Sequence, residues 1–320
     1  MSDCGVSVPE QRTILLTGAN GQVGFELARS LQGLGRVIAC DRRQLDLADL
    51  DGIRDAMRAL RPALVVNAAA YTAVADAERD VTGSMRINAD APRVLAEEAK
   101  RVGAALVHYS TDYVFDGRKM GAYVEDDAPA PLNAYGRSKL AGEEAIRGTG
   151  CDHLTFRTSW VYDLRSNNFL TTMLRIGAER PELRVVSDQF GAPTWSYAIA
   201  SLTAQVLAQA IAAGRMPERW SEWWSTHTGV YHLTAMGETS WHGFAEAIFA
   251  ASNCTNKPSV IPIDAASYPG PVLRPANSLL SNDKLACAFG LRAPDWRFLL
   301  NLCLADAHSS RDAERNRSVA

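Results

Sequence analysis

Over the first half of the chain, short apolar and β-branched runs alternate with longer stretches in which apolar residues recur at helical spacing. The short runs at Thr13–Leu16, Arg36–Cys40, Leu64–Asn67, Ala105–Ser110 and Leu154–Arg157 are predicted as strands. Between them, Leu50, Ile53, Met57 and Leu60 share one helical stripe, and Pro92 to Val102 belongs to a helix that begins after Gly83. A further helix is expected from about Asn133 to Arg147. Strands alternating with helices in this way predict an α/β fold, a Rossmann-like doubly wound parallel sheet over residues 12–160.

Past Arg157 the alternation weakens and loop punctuation grows, at Ser166 to Asn168, Gly191-Ala-Pro193, Pro269-Gly-Pro271, Arg274-Pro275 and Ala293-Pro294. Residues 161–304 are therefore expected to form mainly a smaller, irregular substrate-binding lobe, from which later segments can return to the first domain. The stretch from Arg215 to Gly229 carries Trp220, Trp223 and Trp224. It reads as an inserted loop or short helix packed on the surface, or as a lid or subunit contact. The apolar stretch from Trp195 to Ala213 is interrupted by Ser196, Ser201, Thr203, Gln205 and Gln209, which fits a buried or amphipathic helix and not a membrane span. The ends, 1–11 and 305–320, are expected to be disordered tails, and the first lacks the apolar stretch of a secretory signal.

Composition narrows the partners. The chain has 320 residues, 47% of them hydrophobic, enough for a large core. Its 33 Lys+Arg against 36 Asp+Glu leave no electrostatic footprint for nucleic acid or an anionic membrane, so a small molecule is the expected partner. The six cysteines are scattered with no Cys-x-x-Cys, and His227, His232 and His242 lack zinc-site spacing, so neither a metal site nor a disulfide framework is indicated. Reduced thiols and a cytoplasmic location are the expectation.

The first predicted strand runs into Gly18, Gly21 and Gly24, after which Phe25, Leu27, Ala28 and Leu31 start a helix. Glycines there allow a tight turn, close approach of backbone to a pyrophosphate, and helix-on-strand packing, with the helix N-terminus toward the negative charge. Asp41 ends the second strand, twenty residues after Gly21, where a carboxylate binds ribose hydroxyls. Arg42 and Arg43 follow and suit a 2′-phosphate, so NADH and NADPH both stay open. Asp46 and Leu47 are placed beside the adenine, and Ala70, Tyr71 and Thr72 follow the carboxyl end of the third strand.

Tyr135 and Lys139 are four residues apart on one helix, hence on one face, where an ammonium beside a phenol would favour the phenolate. The fourth strand ends in Ser110, Thr111 and Asp112, which puts hydroxyls at the carboxyl edge of the sheet. Thr111 or Ser110 would hydrogen-bond a reacting carbonyl oxygen, Tyr135 would give the proton, and Lys139 would hold the nicotinamide ribose.

These residues resemble the extended short-chain dehydrogenase/reductases and, within them, the dTDP-4-dehydrorhamnose reductases. The likeness runs from about Thr13 to Leu304. It rests on Thr17-Gly-Ala-Asn-Gly-Gln-Val-Gly24, Val66-Asn-Ala-Ala-Ala-Tyr-Thr-Ala-Val74, Tyr109-Ser-Thr-Asp-Tyr-Val-Phe115, Pro131-Leu-Asn-Ala-Tyr-Gly136 and Lys139-Leu-Ala-Gly-Glu143. The blocks Phe156-Arg-Thr-Ser-Trp-Val-Tyr162, Asp188-Gln-Phe-Gly-Ala-Pro-Thr194, Tyr231-His-Leu233 and Arg274-Pro-Ala-Asn-Ser278 narrow it to that group. The resemblance implies NADPH- or NADH-dependent reduction of the 4-keto group of dTDP-4-dehydro-β-L-rhamnose to dTDP-L-rhamnose, a precursor of cell-envelope polysaccharide.

By the same resemblance Thr111, Tyr135 and Lys139 are catalytic. Gly18, Gly21, Gln22, Val23, Gly24, Asp41, Asp46, Leu47, Ala70, Tyr71 and Thr72 join Tyr135 and Lys139 around the dinucleotide. Thr111, Asp112, Trp160 and Arg274 meet the substrate, with a core aromatic and a structural ion pair as the alternatives for the last two. Related dehydratases carry an acidic pair directly after the Thr, whereas here Tyr113 follows Asp112, which favours plain reduction. Tyr71 stands where a His is often seen. Some relatives use Mg²⁺ at a subunit contact, for which Glu26 is the position here, and the protein is expected as a monomer or homodimer. Reduction of another nucleotide-linked 4-keto sugar, or a non-catalytic dinucleotide-binding regulatory subunit, are the competing readings.

Overall fold

The computed structural model describes residues 12–214, 217–253, 257–267, 270 and 272–317. The expected N-terminal tail, the start of the Trp-rich stretch at Arg215 and Met216, and Pro269 and Pro271 lie outside them. Five strands form where the apolar runs predict them: β1 (Thr13–Thr17), β2 (Arg36–Cys40), β3 (Leu64–Asn67), β4 (Ala105–Thr111) and β5 (His153–Thr158). A sixth, Gly229–His232, was not anticipated as a strand and pairs parallel with β5 from Gly229 against Leu154 to His232 against Arg157. All neighbours are parallel, in the order Gly229–His232, β5, β4, β3, β1, β2.

The strands read as continuous apolar runs because both faces of the sheet are covered. Ile14, Leu16, Val66, Val107 and Phe156 point to one side, where they meet Leu27 and Leu31 of and after the helix α1 (Gln22–Ser30) and Ile199, Leu202 and Val206 of the Ser196–Ala213 helix. Leu15, Val65 and Leu106, one residue out of phase, point to the other side onto Ile53 and Met57 of the Leu50–Leu60 helix and Val94, Leu95 and Ala99 of the Ala91–Val102 helix. This is the doubly wound, Rossmann-like frame. The Ser196–Ala213 helix is long and apolar enough to cross a membrane by length and composition, and half of it is buried inside this protein.

The chain order reverses at β1, with β2 on one side and β3 on the other. Such a switch point leaves a crevice at the carboxyl ends of the strands, where ligands of open α/β sheets bind.

One expectation needs correction. The Trp-rich segment is the short helix that one reading expected, Pro217–His227, but it is not packed on the surface: Trp224 is fully buried in the core over the sheet with Trp220 and Trp223 packed beside it. It delivers the sixth strand, so its tryptophans belong to the sheet layer. The helix Trp296–Arg317 runs into the expected C-terminal tail, of which residues 318–320 lie outside the described ones.

A second, smaller apolar cluster lies past β5. Tyr162, Leu170, Trp195, Phe244, Ile248, Trp296 and Leu300 make its centre, bordered by two-stranded pairings such as Glu182–Val186 with Ser259–Ile263. Between the clusters, Arg157 of β5 is clamped by Glu143 of the Ala134–Thr149 helix, Nε and Nη2 donating to the two carboxylate oxygens at 2.9 and 2.7 Å. Both side chains are shut off from solvent.

Removing one partner leaves a buried charge, which costs about 3–5 kcal/mol, whereas replacing both by apolar groups is often neutral. Glu143→Ala is therefore expected to lower unfolding free energy by that amount, and the double variant Glu143→Met/Arg157→Met to recover most of it. Urea denaturation midpoints check this, and a loss below about 1 kcal/mol for Glu143→Ala would contradict it.

Candidate active site

β1 ends at Thr17 and the chain turns at Gly18 with φ +71°, a left-handed conformation that glycine adopts without steric cost. A Cβ at Gly18 would lie 2.7 Å from the Ala69 backbone nitrogen, and one at Gly24 would lie 2.0 Å from the Gly18 carbonyl oxygen. The turn is thus folded flat against the end of β3 and the start of α1. Gly21 donates its N–H to the Gly18 carbonyl at 2.9 Å and stands at the N-cap of α1 with no side chain to cover the helix's first N–H groups. Those groups and the helix dipole favour an anion in front of them.

In front of this turn is a cavity of about 690 Å³. Gly18, Gly21, Gln22, Val23, Asp41, Asp46, Leu47, Ala70, Tyr71, Thr72, Tyr135 and Lys139 all line it, so twelve sequence-predicted residues from four separate segments share one wall. Gly24 is not on the wall and serves the packing of α1. At one end the Asp41 carboxylate accepts from the Asn20 amide at 3.2 Å and from the backbone N–H of Arg43 and Gln44 at 2.9 and 3.1 Å. Arg42 lines the same end and pairs with Asp46 at 3.4 Å.

At the other end stands the Ala134–Thr149 helix, capped by Asn133, whose side-chain oxygen accepts the Gly136 N–H at 2.8 Å and whose amide donates to the Leu273 carbonyl at 2.9 Å. A Cβ on Gly136 would fall 2.2 Å from the Tyr113 carbonyl oxygen. Only glycine lets the helix sit this low on the loop after β4, and that contact brings Tyr135 against Thr111. Gly142 makes a matching approach to the Asn88 carbonyl oxygen in a π-helical turn over Arg86–Asp90. The Asn88 side chain accepts from the Tyr71 N–H (2.8 Å) and donates to the Tyr71 carbonyl (3.0 Å) and to Ser138 (3.0 Å), which ties the cavity loop to the same helix.

Thr111 and Asp112 are buried, with the Thr111 hydroxyl donating to Asp112 Oδ1 at 3.1 Å and accepting the Tyr113 N–H at 3.2 Å. Burial raises the Asp112 carboxyl to about 6, opposed by hydrogen bonds from Ser278 and Thr111. Burial also pushes the Tyr135 phenol well up, with a hydrogen bond to Thr111 opposing and Asp112 adding to it. Lys139 is not among the groups that shift the resting phenol. Lys139 Nζ donates to the Tyr109 carbonyl at 2.6 Å and meets His108 Nε2 at 3.2 Å. Burial lowers Lys139 to about 8, with Glu143 pulling the other way.

Trp160 takes φ +48°, unusual for a bulky side chain. Its indole stacks on Trp241 at 3.5 Å and 9°, and its other ring atoms lie where a Cβ on Gly191 would be, 2.5 Å away. It is only partly buried, unlike a core aromatic. Arg274 is exposed outside the cavity wall, where its charge partly offsets the burial that raises Tyr113 to about 12. Its neighbour Pro275 packs on Gly117, and the Leu273 carbonyl accepts from Asn133, so the segment is anchored near the Ala134–Thr149 helix. Glu26 faces Arg29, Arg165, Asp163 and Asp306. Among the described residues no group of three or more His, Cys, Asp or Glu is placed to hold a metal ion.

Ser110 and Thr158 also line the cavity, each nine-tenths or more buried with a hydroxyl that has no partner. Ser110 was visible as the residue before Thr111. Thr158 was visible only as part of a block, and His108 and Trp241 carried no sequence signal, because their places come from strand register and from packing between distant segments.

The RmlD substrate binding domain family matches residues 12–309. The dTDP-4-dehydrorhamnose reductase of Burkholderia thailandensis is 50% identical over 302 residues, covering 92% of this chain and 98% of that protein. The Escherichia coli K12 protein of the same name is 42% identical over 294 residues, 89% of this chain and 94% of the relative. Among solved structures, a dTDP-4-dehydrorhamnose reductase from Bacillus anthracis in complex with NADP has a TM-score of 0.84 at 32% identity, covering 92% of this chain and 99% of that one.

Gly18→Ala would need a left-handed alanine, which costs roughly 1–2 kcal/mol before the contact with Ala69 is relieved. About tenfold weaker dinucleotide binding is the expected result, read by titrating tryptophan fluorescence; unchanged affinity would mean that this turn does not touch the ligand.

Proposed function

The chain belongs to the RmlD substrate binding domain family, and from that membership together with the site we propose that it reduces the 4-keto group of dTDP-4-dehydro-β-L-rhamnose to give dTDP-L-rhamnose in the cytoplasm. The observation that carries this reading is that Tyr135 and Lys139 share one end of a glycine-walled cavity, with Thr111 hydrogen-bonded to Tyr135 beside it.

The residues present fit a nicotinamide dinucleotide. Gly18 and Gly21 with the open N-terminus of α1 would hold the pyrophosphate, Asp41 and Arg42 the adenosine ribose, and Lys139 the nicotinamide ribose. The unpartnered hydroxyls of Ser110 and Thr158 are donors awaiting a polar group at the nicotinamide end. The cofactor, when bound, supplies the hydride. Because Asp41 suits the ribose hydroxyls of NADH and Arg42 suits the 2′-phosphate of NADPH, use of both coenzymes is the reading adopted.

Reduction asks the protein for a proton donor and for charge stabilisation at the carbonyl oxygen. Tyr135, held neutral by burial, has a proton to give at physiological pH. Thr111 beside it polarises the same oxygen, so the alkoxide never develops without a donor. Lys139 donates one N–H to the Tyr109 carbonyl and lies one helical turn from Tyr135 on the same cavity wall, where its ammonium charge would stabilise the Tyr135 anion left after proton transfer. Asp112, Trp160 and Arg274 are assigned to the nucleotide sugar. The strained φ of Trp160, held by Trp241 and Gly191, is the kind of distortion that persists at ligand sites.

With the keto sugar generated in situ, NADH and NADPH should both be consumed. Tyr135→Phe is expected to lower kcat by about 100-fold or more while leaving coenzyme affinity within about twofold. Full activity of that variant would sink the assignment. The pH dependence follows from the two shifted groups. Asp112 gains a proton as pH falls through about 6 and Lys139 loses one as pH rises through about 8, so kcat/KM should be bell-shaped between them. Asp112→Asn should flatten the acid limb, and an acid limb that stays put in that variant would remove Asp112 from the site.

A further inference from the structure

A continuous chain of buried polar side chains runs under the floor of the cavity. Thr17 Oγ1 and Asn67 Oδ1 are 2.7 Å apart, Asn67 Nδ2 and His108 Nδ1 3.1 Å, and His108 Nε2 and Lys139 Nζ 3.2 Å. All four residues are 1% exposed or less, so water does not complete their hydrogen bonds. The chain crosses the carboxyl ends of β1, β3 and β4 side by side, directly before Gly18 and Ala68 on the cavity wall.

The direction of these bonds is constrained. Burial, with Lys139 and His153 adding to it, holds the His108 pKa well below its ordinary value, so the ring is neutral and carries one proton. If the Asn67 amide nitrogen faced His108 Nδ1, that proton would sit on Nε2 and point at the Lys139 ammonium, donor against donor. Turning the Asn67 amide end for end removes the conflict, and the oxygen and nitrogen of an amide differ by assignment only. Lys139 then donates to Nε2, Nδ1–H donates to the Asn67 oxygen, and the Asn67 nitrogen donates to Thr17 Oγ1.

We propose that His108, as its neutral Nδ1–H tautomer, is a positioning residue for Lys139. Its Nε2 and the Tyr109 carbonyl take two of the three ammonium N–H bonds, and the third is left for the cavity that Lys139 lines. A strand-interior residue with no acceptor at this position would leave one N–H of a buried ammonium unmatched, which favours the uncharged amine. The other groups facing Lys139 are Tyr135 and Glu143 on its own helix, Glu143 being tied to Arg157 of β5. The use of Lys139 in reduction rests on the function proposed above, whereas the tautomer of His108 does not.

The test has two arms. In the full-length protein labelled with ¹⁵N-histidine, long-range ¹⁵N–¹H spectra at pH 7 should show one histidine, identified by its loss in His108→Gln, with the proton on Nδ1 and Nε2 free. A proton on Nε2, or a charged ring, overturns the proposal, and this reading needs no substrate. In the second arm, His108→Phe should move the alkaline limb of kcat/KM down by about one pH unit, because the charged Lys139 has lost an acceptor. His108→Gln, whose side-chain oxygen sits near the place of Nε2, should restore the limb. An alkaline limb unmoved in His108→Phe overturns the positioning role. If the wild-type chain reduces no keto sugar while His108 has its proton on Nδ1, the function proposed above fails and the tautomer assignment stands.

Discussion

Backbone meeting backbone with no side chain between them is the constraint from which the site is built. Gly18 lies on Ala69, Gly24 on the Gly18 carbonyl, Gly136 on the Tyr113 carbonyl and Gly142 on the Asn88 carbonyl. A Cβ at any of the four would come within 2.7 Å or less of a backbone atom that has little room to move. The first two close the turn under the cavity, and the second two press the Tyr135 helix onto the strand edges. Each is a point where a single methyl group would separate two walls of one crevice, so the geometry of the chemistry is set by atoms that are missing.

The second constraint is electrostatic. Drawing the helix that close buries Lys139, Glu143, Arg157, Asp112 and His108 together, and low solvent access makes any unmatched charge costly. The arrangement settles this in different ways. Arg157 and Glu143 neutralise each other by two hydrogen bonds, burial disfavours the charged forms of His108 and Tyr135, and Lys139 donates to the Tyr109 carbonyl. Both Glu143 oxygens are taken by Arg157, and Lys139 on the cavity wall finds its hydrogen-bond acceptor at the Tyr109 carbonyl instead.

Much of this was legible in the chain. The five strands follow from apolar runs bounded by glycine and charged residues, and the cavity wall follows from what stands at the ends of those runs. Tyr135 and Lys139 were found by helical spacing, and Asp41 by its distance from the glycine turn. What was hidden is non-local. The strand Gly229–His232 is too short, with too mixed a composition, to announce itself, and it is made a strand by the open edge of β5. Trp224 looked like surface because its neighbours are polar, yet the helix it lies on is folded back over the sheet. The burial of Tyr135 was hidden too, because spacing on a helix says which residues are adjacent and nothing about how deep they sit. His108 and Trp241 belong to the same class: strand register sets the first against Lys139, and the second reaches Trp160 from eighty-one positions downstream.

The late arrival of the sixth strand has a consequence for synthesis. β5 is complete at Thr158, but its partner ends at His232, with the smaller cluster's first helix and strands emerging in between. At roughly 5–20 residues per second, the β5 edge is open for on the order of 4–15 seconds on each ribosome. An unpaired parallel edge is a template for the wrong neighbour. The polypeptide is therefore most exposed to mispairing between neighbouring nascent chains during that interval, and the burial of Trp224 marks its close.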